Sequence, residues 1–573
     1  MSQKNTKAAQ KQADQLLKAW CDALAGLQIK SPHKGLDGGI LCPSCARVHG
    51  RCGDAIYPML YMAKKTGDSR YLDCAKALFL WWDNVSCHDG SYVNDVFQDW
   101  KGITVFCAIT LSESLLEFGD LLDGETKAAV SARVKECADF ILKWPGLKNA
   151  NINYIITGAA MLAYAHAVLG DDRYLDFADA LIKNLEDNFT KNMLLKGEGW
   201  KDGKYEGIDL GYNVEESLPS LLQYARLTNN EKLRLLCARA LEAHLYFMAP
   251  DGGWDNSWGS RRFKWTYWGS RTSDGCLYAY AALSGQNPAF LTAVERNLDQ
   301  LAKCTHNGIL YGGPDYFAHG EQPCIHHTFC HAKAVAELLN QTNYKTAKPE
   351  NHPLPSEQAS GVRYYPEIKT YFVRTGIWNA TICNNDYVYQ NINPASGGTL
   401  SFLYHKTAGP VFAASLTKYL RNESHNMQMP IKFDDAPLTV RVESGEFVST
   451  NDTFAQVSLD EEDGILFTVT GRLRDYQQKG CGISYKLCYR ILENRVQIRA
   501  EASSPDAKLC VPVICKGVQK DGQFLAHSEK CAVLVDANHP YTCTPAFSYA
   551  PGFMAQQITL PADGAALTLT VLG

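Results

Sequence analysis

The chain of 573 residues lacks an unbroken run of about 18 to 20 apolar residues, so it offers no candidate membrane span. It also lacks an excess of positive charge, because its 56 Lys and Arg residues are outnumbered by 61 Asp and Glu residues. A net charge of -5 provides no basic field for nucleic acid, so any binding of anions must depend on local clusters. The N-terminus, MSQKNTKAAQKQADQ, lacks the apolar centre of a secretory signal. This sequence predicts a cytoplasmic protein, or a periplasmic or secreted one if a signal peptide was removed.

A disulfide framework is not indicated, although the chain holds 20 cysteines. Most of them stand singly in apolar, helical contexts, as Cys74, Cys107, Cys137 and Cys237 do. We therefore expect reduced, buried thiols.

The pattern from about residue 8 to residue 342 is helical and contains an internal repeat. GDSRYLDCAKAL at residues 67–78 returns as GDDRYLDFADAL at residues 170–181, with looser copies at 229–241 and 286–298. Such spacing suits helical hairpins that bury their faces against one another. We predict an α/α toroid over residues 1–342, either incomplete or a barrel of six hairpins.

The pattern changes after the toroid. Residues 343–361 are rich in Pro, Ser and charge, which is typical of a linker. Beyond them, short runs such as ILFTVTGRL and LTLTVL alternate between apolar and polar residues and are separated by turn residues. This predicts an antiparallel β-sandwich over residues 362–573.

The stretch at residues 253–275 combines aromatic rings and fixed positive charges without a helical or strand period. Indoles stack on the C–H faces of sugars and guanidinium groups bind carboxylates, so the stretch indicates a surface for an acidic saccharide. The alternative is an aromatic loop packed on a core, and nucleic acid is a weaker interpretation still. The candidate substrate-binding residues are Trp258, Arg261, Arg262, Trp265, Trp268 and Arg271, with Arg51 from an earlier loop.

Four residues of zinc-ligand type lie close together in LCPSCARVHGRC. Cys42, Cys45, His49 and Cys52 have the spacing C-x2-C-x3-H-x2-C, which can form a closed tetrahedral site. We therefore predict a structural zinc ion and no organic cofactor. Free thiols are the alternative, as is a different fourth ligand if His49 and Arg51 face the substrate.

The segment PCIHHTFCHAKA begins the last helix of the predicted toroid. His327 and His331 are one helical turn apart and could bind a metal, whereas His326 or His327 in a cleft could act as a general base. A purely structural role is the third interpretation.

Two further motifs, YEGIDLGYNVEESL and NINY, place amide and phenol side chains before helices. Tyr212 and Asn213 stand in the first motif and Asn153 in the second. Such residues are commonly caps and packing groups. They are also the side chains that elimination at a uronate requires, because an amide can bind the carboxylate and a phenol can move protons.

Taken together, HGRCGDAIYPMLY, WKGITVF, NINY, DLGYNVEESLP, DNSWGSRRFKWTYWGSRTSDG and HHTFCHAKA resemble the rhamnose-glucuronate lyases of polysaccharide lyase family 27. More broadly they resemble the heparinase II/III-like lyases, which combine an α/α toroid with a β-sandwich. The resemblance implies β-elimination at a glucuronate in an acidic oligo- or polysaccharide. It further implies release of rhamnose from arabinogalactan-type glycans.

The chemistry of elimination assigns roles to these residues. Loss of the C5 proton adds negative charge beside the uronate carboxylate, so Arg271 with Asn213 or Asn153 is expected to neutralise that group. His326, His327 or a deprotonated tyrosine is the expected base, and Tyr212 or Tyr267 the expected acid.

Two other functions compete with a lyase. A glycoside hydrolase on the same fold needs two carboxylates across the scissile bond. The second alternative is a non-catalytic glycan-binding protein. The candidate carboxylates for a hydrolase are Glu206, Asp209, Glu215, Asp255 and Asp274.

Overall fold

The computed structural model describes residues 6–95, 98–201, 204–341, 344, 352–389, 392, 394–419, 439–519 and 522–573. Helices fill the first part of the chain and long strands fill the second. The helices are α1 (Thr6–Gly26), α2 (Ile56–Thr66), α3 (Ser69–Trp81), α4 (Thr104–Phe118), α5 (Gly124–Lys143), α6 (Ile152–Leu169), α7 (Asp172–Ile182), α8 (Leu210–Tyr212), α9 (Leu218–Leu227), α10 (Glu231–Leu245), α11 (Leu277–Ala282), α12 (Ala289–Lys303), α13 (Tyr316–His319) and α14 (Ile325–Asn340).

Short two-residue strands form three hairpins within the helical part, and the remaining strands form the C-terminal sheets. The hairpin strands are β1 (Trp200–Lys201), β2 (Lys204–Tyr205), β3 (Trp265–Thr266), β4 (Gly269–Ser270), β5 (Thr305–His306) and β6 (Ile309–Leu310). The C-terminal strands are β7 (Ala359–Tyr365), β8 (Thr370–Thr375), β9 (Trp378–Cys383), β10 (Thr399–His405), β11 (Gly409–Ala413), β12 (Arg441–Ser444), β13 (Phe447–Val448), β14 (Gln456–Asp460), β15 (Ile465–Arg474), β16 (Gly480–Ile491), β17 (Arg495–Ala502), β18 (Lys508–Ile514), β19 (Gly517–Val518), β20 (Gln523–Leu525), β21 (Ala532–Ala537), β22 (Thr542–Ser548), β23 (Phe553–Pro561) and β24 (Ala565–Leu572).

The described helices form a closed ring of six hairpins. Helices α2, α4, α6, α9, α11 and α14 contact one another in this order, and α14 returns to α2. Their outer partners are α3, α5, α7, α10, α12 and α1. The predicted toroid is therefore confirmed, in its six-hairpin form.

The sequence repeat corresponds to a repeated helix start. Asp68 and Asp171 each cap an outer helix by accepting a hydrogen bond from the backbone N–H two residues later. The glycine before each cap, Gly67 or Gly170, ends the inner helix with φ near +70°, at 71° and 72°. A residue with a Cβ is strained in that conformation, so the Gly-Asp pair sets the turn between inner and outer helices.

The C-terminal strands form a sandwich of two antiparallel sheets, as predicted. One sheet has the order β11-β10-β9-β8-β7. The other runs β19-β20-β21-β24-β17-β16-β15-β13-β12-β18-β23-β22, with β14 paired to β15. Side chains from both sheets, including Trp378 and Phe467, share one buried core. Part of the predicted linker, at residues 343 and 345–351, lies outside the described residues, and β7 already begins at Ala359.

Two stretches, Lys101–Leu121 and Ile152–Leu169, have the length and hydropathy of a membrane span. In the apolar 18-residue window of each stretch, 89% and 67% of the window is buried, because the stretches contain the inner helices α4 and α6. Packing inside the toroid accounts for their apolar character.

Candidate active site

A cavity of about 510 Å³ opens where several inner helices begin. Residues in the first turns of α4, α6 and α14 line it, and the partial positive charge at these helix starts favours an anionic ligand. A larger cavity of about 840 Å³ lies at the other end of these helices, but the predicted site residues are not among its walls. We therefore take the smaller cavity as the active-site cleft. Its walls are formed by Arg51, Asn94, Gln98, Trp100, Ile103, Phe106, Asn149, Ala150, Asn151, Asn153, Tyr154, Tyr205, Tyr212, Glu216, Arg261, Lys264, Thr272, His326 and Tyr389.

A buried phenol surrounded by cations stands on one wall of the cleft. The Tyr212 hydroxyl lies 2.6 Å from Thr272 Oγ1 and accepts a hydrogen bond from Lys264 Nζ at 3.2 Å. The Arg261 guanidinium lies 3.9 Å from the centre of the Tyr212 ring. Two positive charges this close stabilise a phenolate relative to a phenol, so this hydroxyl is suited to proton transfer.

An amide and a carboxyl group form a second cluster. Asn153 Nδ2 donates to Glu216 Oε2 at 2.7 Å, and the described residues give Asn153 Oδ1 no hydrogen-bond partner. Burial, reinforced by the charge of Asp274, raises the pKa of Glu216 to about 8. Burial thus favours the protonated form of Glu216, which can donate a hydrogen bond to an anion.

Two arginines are held in place by acidic partners. Arg51 donates from Nε to Asp54 at 2.7 Å and also pairs with Asp274. Arg261 pairs with Glu198 at 3.3 Å, and burial raises the pKa of Glu198 to about 7. These pairs fix the direction of both guanidinium groups at the edge of the cleft.

Helical phase explains why Tyr212 and Glu216 face the cleft while their neighbour does not. The two residues are four apart on the helical segment that runs from α8 through a π-helical turn at Asn213–Ser217. Asn213 is rotated away by one residue, about 100°. Its Nδ2 lies 3.0 Å from the Leu195 carbonyl and 3.1 Å from His244 Nε2. Asn213 is thus a packing group, and the expectation that it binds the carboxylate is corrected.

The structure brings five of the predicted site residues together in the cleft and places the rest elsewhere. Those in the cleft are Tyr212, Asn153, His326, Arg51 and Arg261. Tyr267 instead donates to Asp251 Oδ1 at 2.9 Å beside Phe553 of the sandwich. His327 is fully buried, and burial lowers its pKa well below the usual range, so it stays neutral behind the cleft wall. Neither residue is placed to exchange protons with a ligand in the cleft.

The aromatic and cationic stretch is mostly an interface between the two domains. Trp258, Trp265 and Trp268 are 0% exposed, so they cannot stack on a sugar. Trp265 shares a buried cluster with Phe402 and Phe553 of the sandwich. The expectation of three stacking platforms is therefore corrected, and the alternative of a loop packed on a core describes these rings.

Two of the four predicted substrate-binding arginines also lie at the interface between the domains. Arg262 donates to the Trp258 and Tyr387 carbonyls, at 3.2 and 2.7 Å. Arg271 donates to the Tyr316 hydroxyl at 2.6 Å and to the carbonyl of Tyr549. Both guanidinium groups hold the sandwich against the toroid, so the assignment of Arg271 to carboxylate neutralisation is corrected.

Several cleft residues were missing from the predicted set. Trp100 is 39% exposed and forms edge contacts with Trp144 and Tyr154, so it presents a ring to the cleft. Lys264 lies in the aromatic stretch and Trp100 in the WKGITVF motif, but no period distinguishes them from buried neighbours. Tyr205 and Tyr389 complete the aromatic part of the wall.

The cleft does not offer the carboxylate pair of a glycoside hydrolase. Among the described residues of its wall, Glu216 is the only carboxylic acid. Asp209 caps α8 and also accepts from the Arg261 backbone, while Glu215 accepts from Ser270 and Ser273. The other candidates lie outside the wall and are held by other side chains: Glu206 pairs with Lys196, Asp255 accepts from Thr381, and Asp274 pairs with Arg51 of the wall.

The predicted metal ligands only partly converge. Sulfur and nitrogen atoms of Cys42, Cys45 and His49 all lie within 4.8 Å of one another. Cys52 lies outside this group and is packed in the toroid core. Its placement corrects the choice of Cys52 as the fourth ligand.

Comparisons with known proteins agree with the two-domain architecture. The ulvan lyase N-terminal domain matches residues 17–357, and the ulvan lyase C-terminal domain matches residues 362–571. A broad-specificity ulvan lyase of Formosa agariphila is 35% identical over 581 residues, covering 95% of this chain and 91% of that protein. A chondroitin AC lyase structure from Streptomyces coelicolor A3 shares the fold, with a TM-score of 0.54 and 14% identity over 99% of this chain and 79% of that one. The resemblance to rhamnose-glucuronate lyases thus holds at the level of polysaccharide lyases. This chain belongs to the ulvan lyase family and is a polysaccharide lyase.

Proposed function

We propose that the cleft cleaves an ulvan-type acidic polysaccharide by β-elimination at a uronate. The observation that supports this most strongly is the convergence of Tyr212, Lys264, Arg261, Asn153 and Glu216 on one cavity. Together they supply a proton carrier, fixed positive charge and neutral donors, which are the three requirements of the reaction.

Neutralisation of the uronate carboxylate is assigned to the Asn153 and Glu216 cluster. Protonated Glu216 can donate to one carboxylate oxygen, and Arg51 Nη1, 3.9 Å from Glu216 Oε1, adds positive charge nearby. As the C5 proton leaves, the carboxylate gains enolate character and these interactions strengthen. Stronger interaction in the transition state than in the ground state is what raises the rate.

Proton transfer is assigned to Tyr212. Its oxygen, as a phenolate stabilised by Lys264 and Arg261, takes the C5 proton. The C4–O bond then breaks, a C4=C5 double bond forms, and the leaving oxygen receives a proton. The phenol of Tyr212 can return the proton it has taken, and His326 on the α14 side of the cleft is the second group able to supply one. No water is consumed.

The substrate is proposed from the family and from the shape of the wall. The Formosa agariphila relative is named a broad-specificity ulvan lyase, and ulvan contains both glucuronate and rhamnose. Trp100 of the wall is 39% exposed, and Trp200, which packs edge-on against Tyr205 of the wall, is 57% exposed, so both rings can stack on neighbouring sugars. This proposal replaces the arabinogalactan substrate that the sequence motifs implied.

The substrate is tested by incubating the purified protein with ulvan and, in parallel, with an arabinogalactan that contains glucuronate. We expect ultraviolet absorbance of the unsaturated uronate to rise with ulvan and to stay flat with arabinogalactan. A rise with arabinogalactan accompanied by free rhamnose, and none with ulvan, would overturn the proposed substrate.

A further inference from the structure

A fourth ligand-type residue completes the cysteine and histidine cluster from the far end of the toroid. Cys324 immediately precedes α14, and its Sγ lies 3.9 Å from Cys42 Sγ and 3.8 Å from His49 Nε2. Cys45 Sγ lies 3.5 Å from the same nitrogen of His49. Cys324 thus contacts both Cys42 and His49, which together with Cys45 form a group of ligand atoms within 4.8 Å of one another.

The separations of Cys324 from Cys42 and from His49, and of Cys45 from His49, match those of a tetrahedral zinc site. Zn–S bonds of about 2.3 Å and a Zn–N bond of about 2.05 Å, at tetrahedral angles, place two sulfurs about 3.8 Å apart and a sulfur about 3.6 Å from the nitrogen. A disulfide between Cys42 and Cys324 would instead need a distance of about 2.05 Å. The sulfurs are separated as a bridging metal would separate them.

The local backbone also has the form of a metal-binding turn. The Ala46 N–H donates to the Cys42 carbonyl at 2.9 Å, and the Cys42 N–H donates to the Arg47 carbonyl at 2.8 Å. Ala46 itself has a left-handed backbone, with φ of 53°. This tight turn directs Cys42 and Cys45 to the same side, toward His49 and Cys324.

We propose that Cys42, Cys45, His49 and Cys324 bind a structural zinc ion. Cys52, which has the spacing of a ligand, is not part of the set. The proposed ion joins the loop before α2 to the start of α14, the two ends of the ring of inner helices. Arg51 and His326, each two residues from a ligand, line the cleft, so the ion also fixes one of its walls.

The test uses the full chain and measures bound zinc by inductively coupled plasma mass spectrometry. We expect about one zinc per wild-type chain. Cys324→Ser should lower zinc affinity by more than the roughly 10- to 100-fold that loss of a ligand's supporting hydrogen bond causes. Cys52→Ser is the matched control, because it also replaces a buried thiol near the cluster, and it should retain one zinc per chain. Zinc that is lost from Cys52→Ser and retained by Cys324→Ser would overturn the ligand set.

A second measurement needs no variant and is independent of how the variants fold. Cys45 is half-buried, so iodoacetamide should alkylate it slowly in the protein as purified and quickly after a chelator has removed the metal. Cys52, in the core, should resist alkylation in both states. An equal rate at Cys45 before and after chelation, with no zinc in the wild-type chain, would show free thiols and overturn the proposal.

Discussion

Removal of one hydroxyl group, in Tyr212→Phe, tests the assignment of proton transfer. A positioned acid or base typically contributes about 10²- to 10⁴-fold to a rate, which corresponds to about 3 to 5 kcal/mol. Because the hydroxyl acts on the transition state, we expect kcat to fall by this factor while KM changes little. The assay is the initial rate of ultraviolet absorbance increase with ulvan.

The structure also supplies the control for this variant. Tyr212→Phe removes hydrogen bonds to Thr272 and Lys264, and Tyr267→Phe removes one to Asp251 at the domain interface. Each loss should lower the free energy of unfolding by about 1 to 3 kcal/mol. Tyr267→Phe should nevertheless keep nearly full activity. If Tyr212→Phe retained more than about a tenth of the wild-type kcat, or if both variants lost activity equally, Tyr212 would not be the proton carrier.

Two further predictions concern the carboxyl group and the exposed ring. Glu216 keeps its proton up to about pH 8, so wild-type kcat/KM should fall above that pH, where a second negative charge faces the substrate. In the unfolded chain this carboxyl titrates near 4.5, so the wild-type free energy of unfolding should also fall as the pH rises from about 4.5 to about 8. Glu216→Gln should lack both the decline in kcat/KM and the decline in stability, as measured by pH-rate profiles and by chemical denaturation. If kcat/KM of Glu216→Gln still fell above about pH 8, the decline would belong to another titrating group. Trp100→Ala should raise KM for long chains by about tenfold and leave kcat nearly unchanged, since stacking contributes to binding in the ground and transition states alike; a drop in kcat alone would contradict a stacking role.

The toroid could be predicted because its determinants are local. The Gly-Asp turns at residues 67–68 and 170–171 recur with the helix starts that they cap, and the helical period of the intervening residues is preserved. The sandwich was predictable for a similar reason, because side chains alternate between the two faces of a strand and apolar and polar residues therefore alternate in its sequence.

The candidate site was less predictable because long-range packing decides it. The sequence favours a sugar-stacking role for Trp265, but Phe402 and Phe553 of the other domain cover its ring. Cys324 lies 282 residues from Cys42 along the chain, so spacing alone favoured Cys52. The difference between Tyr212 and Asn213 depends on the phase of one helical segment with a π-helical turn, which no motif specifies.

Digestion of ulvan in heavy-oxygen water tests elimination most directly. Elimination breaks the C4–O bond without water, so the account predicts unsaturated products that carry no heavy oxygen at the new ends. Products that gain one heavy oxygen at each cleavage and show no ultraviolet absorbance would contradict the assignment of the cleft to β-elimination.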